Sequence, residues 1–493
     1  MIRSNSWKTI CTVFVICSAM ASAAFAQTFN TLASFDGVNG SNPFYGSLVQ
    51  GRNGNYYGTT KLGGMGSCYF GNGCGAIFEV TPGGTLEGLY SFCSHNNCAS
   101  GDIPLSGLLL ASDGDAYGTA WYGGSSGFPC FQGCGTIYKV AKGTVSTLYN
   151  FCAQLDCADG AAPYAALIEG SDGNFYGTTS VYGPFSGGSV FRITPAGQLT
   201  TLYSFCQQSG CTDGEYPNAG VVQGSDGNLY GTTYYGGANG WGTAFKVTPK
   251  GTLTVLHSFA GTPTEGGYPS AGLVQGADGA FYGTALHGGA NTCFEGCGTV
   301  FKVTSSGVFK TLHTFGGADG SLPGAGLIQA TDANFYGTTT GGGNDNAGTV
   351  FRISPTGTLE TLYSFCAQTN CTDGATPWGA LLQATNGTFY GTTYGGGNSS
   401  CQDCGTVFSL NIGLGPFIAL DRAVGKVGQV VGILGQGFTG TTNVSLNGIP
   451  ANFKVISGTY INATIPTGAT TGYVTATTPT GTLTSNVPLR VIQ

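Results

Sequence analysis

The sequence predicts an all-β fold: a seven-bladed β-propeller closed by its N-terminal strand, followed by a small β-sandwich. Three observations lead there. A Tyr-Gly-Thr signature recurs at Tyr57, Tyr117, Tyr176, Tyr230, Tyr282, Tyr336 and Tyr390, with spacings by subtraction of 60, 59, 54, 52, 54 and 54 residues. A period of this length marks supersecondary units that bury their apolar faces on one another. Each unit reads as four short strands, and the array starts with a lone fourth strand and stops after a third.

The fourth unit shows the elements in order. They are "AGVVQG" (strand a), "NLYGTTYY" (b), "GTAFKVTP" (c) and "TLTVLHSF" (d). Leu253, Val255 and His257 alternate on one face of strand d, as a half-buried strand requires. Asp-Gly in "SDGN" is a hairpin signal between a and b, because both turn residues tolerate positive φ. Glycine-rich segments join b to c, and "TPKG" joins c to d. The c-type motif occurs at Gly75, Gly135, Gly188, Gly242, Gly298, Gly348 and Gly405. The first d-type copy, "TLASF" (Thr31 to Phe35), precedes every other strand, and the last unit ends at "GTVFSLN". In a ring these fragments complete one four-stranded blade. An open solenoid gains nothing from that permutation. The propeller is therefore assigned to residues 27–412. A glycine repeated inside strand b marks close packing near the axis, and the tyrosine beside it fills space between sheets. The signature is scaffold. "GxxP" recurs from Gly40–Pro43 to Gly374–Pro377 in the d-to-a crossing, where proline can open a strand without breaking a ladder.

Composition narrows the function. The chain has 493 residues, 88 of them glycine, with 41% hydrophobic and 8% charged, so it can bury a core. The net charge of -7 offers no basic stripe for nucleic acid. Residues 1–26 read as a secretory leader: Arg3 and Lys8, the apolar "TICTVFVICSAMA", then "AFA" before Gln27. The expected mature chain is exported to the extracellular space, cell surface or periplasm, and has no transmembrane segment. Two of the 18 cysteines, Cys11 and Cys17, lie in the leader. The rest fall in close pairs: Cys68/Cys74, Cys93/Cys98, Cys130/Cys134, Cys152/Cys157, Cys206/Cys211, Cys293/Cys297, Cys366/Cys371 and Cys401/Cys404. Each pair comes and goes between units as a whole, so pairing within each loop is the simplest connectivity. Half lie in b–c loops and half in d–a loops, which share one face of a meander.

From residue 413 cysteines stop and aromatics thin out. Runs such as "GQVVGILGQGF", "NVSLNGIPANFKVIS" and "GYVTATTPTG" fit a small β-sandwich over 413–493. Two resemblances follow. "DGNLYGTTYYGG", "GTAFKVTPKGTLTVLHSF" and "AGLVQGADG" resemble the GloVer tandem-repeat family of bacterial exported proteins, across all seven units. That family implies no activity. Its members often end in a cell-surface sorting segment, and this tail lacks a terminal hydrophobic anchor with basic residues. "VGQVVGILGQGFTGTTNVSLNG" and "ATIPTGATTGYVTATTPTGT" resemble an IPT/TIG immunoglobulin-like domain, which implies a spacer or interaction module.

Catalytic groups are scarce. His257 and His313 replace the Tyr of "LYSF" and read as structural. His95 lies inside a cysteine loop. Asp113 and Asp115 form an acidic turn with too few ligands for calcium. No Ser-His-Asp set, phosphate loop or metal-spaced histidine cluster stands out, so neither cofactor nor metal is expected. The informative residues break the repeat: Lys61, Trp121, Tyr122, Tyr182, Tyr234, Tyr235, His287 and Tyr394, all just after "YGT", with Trp241 and Trp378 beside them. Aromatics in an Asn/Ser/Gly-rich rim suit stacking on sugar rings or docking a protein; packing between neighbouring loops is the plainer alternative. The expected function is binding, of carbohydrate or an envelope protein. A propeller enzyme (glycoside hydrolase or polysaccharide lyase) and a purely structural surface protein are the alternatives.

Overall fold

The computed structural model describes residues 27–66, 68, 72–94, 98–125, 130–290, 292–397, 401 and 403–492. The leader and His95 lie outside them. The chain is all-β, with short 3-10 turns such as Leu155–Cys157, Ser209–Cys211 and Thr369–Cys371 between the strands. No described helix is long and apolar enough to cross a membrane.

The repeats form four-stranded antiparallel sheets in meander order, like propeller blades. In the fourth repeat, strands Val222–Gln223, Leu229–Thr233, Thr243–Val247 and Leu253–Ser258 pair in succession. The last repeat sheet draws on both ends of the array. Strand Thr28–Ser34 pairs with Thr406–Asn411, from Thr28 opposite Asn411 to Ser34 opposite Thr406.

The repeated residues explain the sheets. Gly231 of strand b faces Phe245 of strand c across the ladder. A Cβ there would lie 2.7 Å from the Phe245 ring tip, so glycine seats the phenylalanine. Tyr230 donates to Asp226 at 2.7 Å, and the same aspartate accepts the Asn228 backbone N–H at 3.1 Å. One carboxylate thus shapes the a–b turn and hooks the tyrosine. The Tyr230 ring then stacks on Phe281 of the next repeat, 3.8 Å between centroids. Gly242, at φ 94°, lies under Pro269 of the following repeat, where a Cβ would meet the proline Cδ at 2.9 Å.

The a–b turns are clasped in series. The Oε1 of Gln223, Gln275, Gln329 and Gln383 accepts a backbone N–H from Ser171, Ser225, Ala277 and Thr331 of the preceding repeat, at 2.8–3.1 Å. These contacts continue from the seventh repeat to the first. Thr385 N–H donates to Gln50 at 2.9 Å, Tyr390 meets Tyr56 at 4.1 Å, and Gly405 lies under Pro43.

Residues 419–492 form two further four-stranded sheets and a parallel pair, Val424–Lys426 with Arg490–Ile492. They enclose their own core of Ile418, Ile433, Phe438, Val444, Ile461 and Leu489. This segment sits on the a–b turns. Arg422 donates to Glu169 at 2.9 Å and to Ser112 Oγ at 2.6 Å, and Arg52 pairs with Asp421 at 3.2 Å. Glu169 stands where five other repeats carry the clasping Gln and the second carries Leu110, and it still accepts the Ser112 N–H at 2.8 Å.

Candidate aromatic loop face

The opposite face is built from the d–a and b–c loops. In each repeat the second residue of "GxxP" bridges the second residue after "YGTT": Ser41 to Leu62, Asp102 to Tyr122, Ala161 to Val181, Glu215 to Tyr235, Gly267 to His287, Ser321 to Gly341 and Ala375 to Gly395. This pairing fixes where the repeat-breaking side chains emerge. Eight disulfides join Cys68–Cys74, Cys93–Cys98, Cys130–Cys134, Cys152–Cys157, Cys206–Cys211, Cys293–Cys297, Cys366–Cys371 and Cys401–Cys404. Each closes a loop on this face. Bonds of this number fit an oxidising, extracellular environment.

A second device braces the d–a loops. Tyr149, Tyr203 and Tyr363 donate to the buried Asp159, Asp213 and Asp373 at 2.7–2.8 Å. His257 and His313 take the tyrosine's place and meet Glu265 and Asp319 at 2.6 and 2.7 Å. Those two loops carry no disulfide. Asp113 and Asp115 face Lys139, whose ammonium lies 2.7 Å from Asp115 and occupies the place a cation would take.

The residues after each "GxxP" proline converge on one cavity of about 230 Å³, lined from all seven repeats. Its wall is uneven. Tyr45, Tyr164 and Trp378 stand on one side, with Tyr45 5.3 Å from both other rings. Asn218, Ser270 and Gly324 stand at the equivalent positions on the other. Burial, reinforced by the neighbouring Tyr164 and Tyr234, pushes the Tyr45 phenol well above its usual range. Burial raises Tyr164 to about 12. These phenols therefore stay neutral donors. No carboxylate lines the cavity among the described residues.

Around this mouth the eight repeat-breaking residues fall into three groups. Lys61 places its ammonium 4.8 Å from the Phe44 ring and 6.0 Å from Tyr394. Burial lowers its pKa. Phe44 continues to Trp378 at 5.0 Å. In the second group Tyr234 stacks on Tyr268 at 5.0 Å, and Tyr235, Trp241 and His287 surround the same ring. Tyr235 is 41% exposed. His287 has a buried Nδ1 without a hydrogen-bond partner among the described residues, 3.7 Å from Glu295, and burial lowers its pKa more than Glu295 raises it. The third group is a lateral cleft of about 470 Å³ formed by Trp121, Tyr122, Phe131 and Tyr182. Trp121 stacks on Tyr122 at 4.2 Å and touches Tyr164 edge-on at 5.9 Å.

Two features gave no signal in a reading along the chain. The cavity lining appears only when the residue after each "GxxP" proline is read down the repeats. Asp102, paired through its backbone with Tyr122, is 5% exposed, and its Oδ1 has no hydrogen-bond partner among the described residues. Burial raises its carboxyl from 3.8 to about 7.

Comparison with known proteins bears on the repeats. A model of the Gloeobacter/Verrucomicrobia repeat matches residues 12–219, 129–330 and 295–431. The chain belongs to this repeat family. No curated protein matches it. Among solved structures, this Gloeobacter/Verrucomicrobia repeat protein is similar to a fungal alcohol oxidase of the AA5 family in complex with copper. That likeness has 13% identity, 94% of this chain and 98% of that one covered, and a TM-score of 0.49. It is also similar to a Pseudomonas aeruginosa periplasmic gluconolactonase, at 16% identity, 72% and 99% coverage and a TM-score of 0.42. A protein of unknown function from Bacteroides thetaiotaomicron follows, at 13% identity, 78% and 76% coverage and a TM-score of 0.41. At these scores the likenesses carry no functional weight.

Proposed function

We propose that residues 27–412 form a seven-bladed β-propeller closed by the N-terminal strand. Its disulfide-braced loop face binds carbohydrate around the axial mouth. The Gln clasp, the inter-repeat ring stack and the Gly-under-Pro contact, all continuing from repeat seven to repeat one, support the closed ring. Residues 413–493 form an IPT/TIG-like immunoglobulin sandwich that covers the turn face. The leader reading of residues 1–26 places the mature chain outside the cytoplasm.

The uneven axial cavity carries the binding reading. Tyr45, Tyr164 and Trp378 offer ring faces for the apolar side of a sugar. Asn218, Ser270 and the neutral phenols offer hydrogen bonds for its hydroxyls. Hydrolysis would call for two facing carboxyls, and the lining supplies stacking and neutral polar groups instead.

The test is a glycan and polysaccharide array probed with the oxidised mature chain. Saturable binding that Trp378→Ala removes is the expected result. Absence of saturable binding to every glycan would overturn the reading and leave an envelope protein as the partner for this face.

A further inference from the structure

The geometry points to a second binding site, in the lateral cleft of Trp121, Tyr122, Phe131 and Tyr182, for a quaternary ammonium group such as that of choline.

The first observation is Tyr182 itself. Six repeats place a glycine at this position, Gly63, Gly123, Gly236, Gly288, Gly342 and Gly396, all with φ between 73° and 79°. The third repeat places a tyrosine there and keeps the left-handed backbone, at φ 61°. Tyrosine pays a steric cost in this region that glycine does not. Strain of this kind is retained where the surroundings enforce it, and here it delivers an aromatic ring to the cleft.

The second observation is the lining. Four aromatic side chains meet in the cleft, and among its described lining residues none is charged and Gln132 is the one carboxamide. A sugar needs several directed hydrogen bonds, and this lining is poor in them. A weakly hydrated alkylammonium needs ring faces, which attract it through their quadrupoles and demand little desolvation. Phe131 is 80% exposed, between Cys130 and Cys134, so one wall stands ready in solution. Behind Tyr122 sits Asp102, the buried carboxyl whose Oδ1 has no described partner. The chain's net charge of -7 favours a cation over an anion. This inference stands on the cleft and is independent of the axial mouth.

The experiment titrates the oxidised mature chain calorimetrically with choline and with tetramethylammonium, against the neutral tert-butyl analogue of choline. Saturable binding of both cations is expected, about tenfold tighter than the neutral analogue. Tyr182→Gly restores the repeat's own residue, so it keeps the fold and should weaken the cations by about tenfold. Phe131→Ala should weaken them less, and Trp378→Ala should leave them unchanged. Equal binding of the neutral analogue would make the cleft an ordinary apolar slot and overturn the proposal. Absence of binding by either cation, or binding that survives Tyr182→Gly, would overturn it as well.

Discussion

The two faces of the repeat array handle departures from the repeat differently. On the turn face the repeat is kept almost everywhere, with a glutamine clasping the neighbouring turn. Leu110 replaces the glutamine in the second repeat, and the two charged departures, Arg52 and Glu169, are paired with Asp421 and Arg422 of the C-terminal segment. On the loop face the departures are mostly aromatic, with Tyr182 at a left-handed φ of 61° and Lys61 lying over the Phe44 and Tyr394 rings. A repeat broken and compensated is a joint within the molecule. A repeat broken at a steric cost, as at Tyr182, is the mark of a site.

The largest contrast lies between two carboxyls, Glu169 with its arginine and Asp102 without one. Asp102 titrates at about 7 in the fold against 3.8 ordinarily, so the folded state holds its proton more tightly. Its contribution to stability is full below pH 4 and is lost as the pH rises through 7. Complete loss amounts to roughly 4 kcal/mol. Calorimetric melting across this range should show the fall, and Asp102→Asn should flatten it. A slope unchanged in the variant would remove Asp102 from the comparison.

Next comes the scaffold that both faces share. Gly231→Val drives a side chain into the Phe245 ring and should cost about 3 kcal/mol, seen as a lowered melting temperature. Arg422→Ala tests the joint. It leaves Glu169 with only its Ser112 bonds and should loosen the C-terminal segment by about 2 kcal/mol, read as faster proteolysis near residues 412–416. The smallest effect has the opposite sign. Tyr182→Gly relieves a left-handed tyrosine and should stabilise the fold by about 1 kcal/mol. A destabilised variant would mean that the ring serves packing.

Much of this was legible in the sequence because it is local. Turn residues, alternation and close cysteine pairs sit within a few positions of one another, and so do Asp226 and Tyr230. Lys61, Trp121, Tyr122, Tyr182, Tyr234, Tyr235, His287 and Tyr394 were visible as departures from a pattern. Their grouping was not, because Trp121 reaches Tyr164, and Lys61 reaches Phe44 and Tyr394, through the arrangement of whole sheets. The lining of the shared cavity was hidden for the same reason. Asn218, Ser270 and Gly324 lie about one repeat apart and are unremarkable one by one. Asp102 carries no local mark, since nothing adjacent in sequence reveals that it is buried.

The sheet shared between Thr28–Ser34 and Thr406–Asn411 also has a consequence in time. A chain emerges from synthesis N-terminus first. Its opening strand then waits, edge exposed, until a partner nearly the whole array later has been made. Every intervening repeat can pair its own strands while that edge stays open, and open edges invite other chains. The last strands to arrive act as a bolt. They protect the first strand and complete the sheet in one event, so a truncated product should be far more prone to aggregate than its length alone suggests.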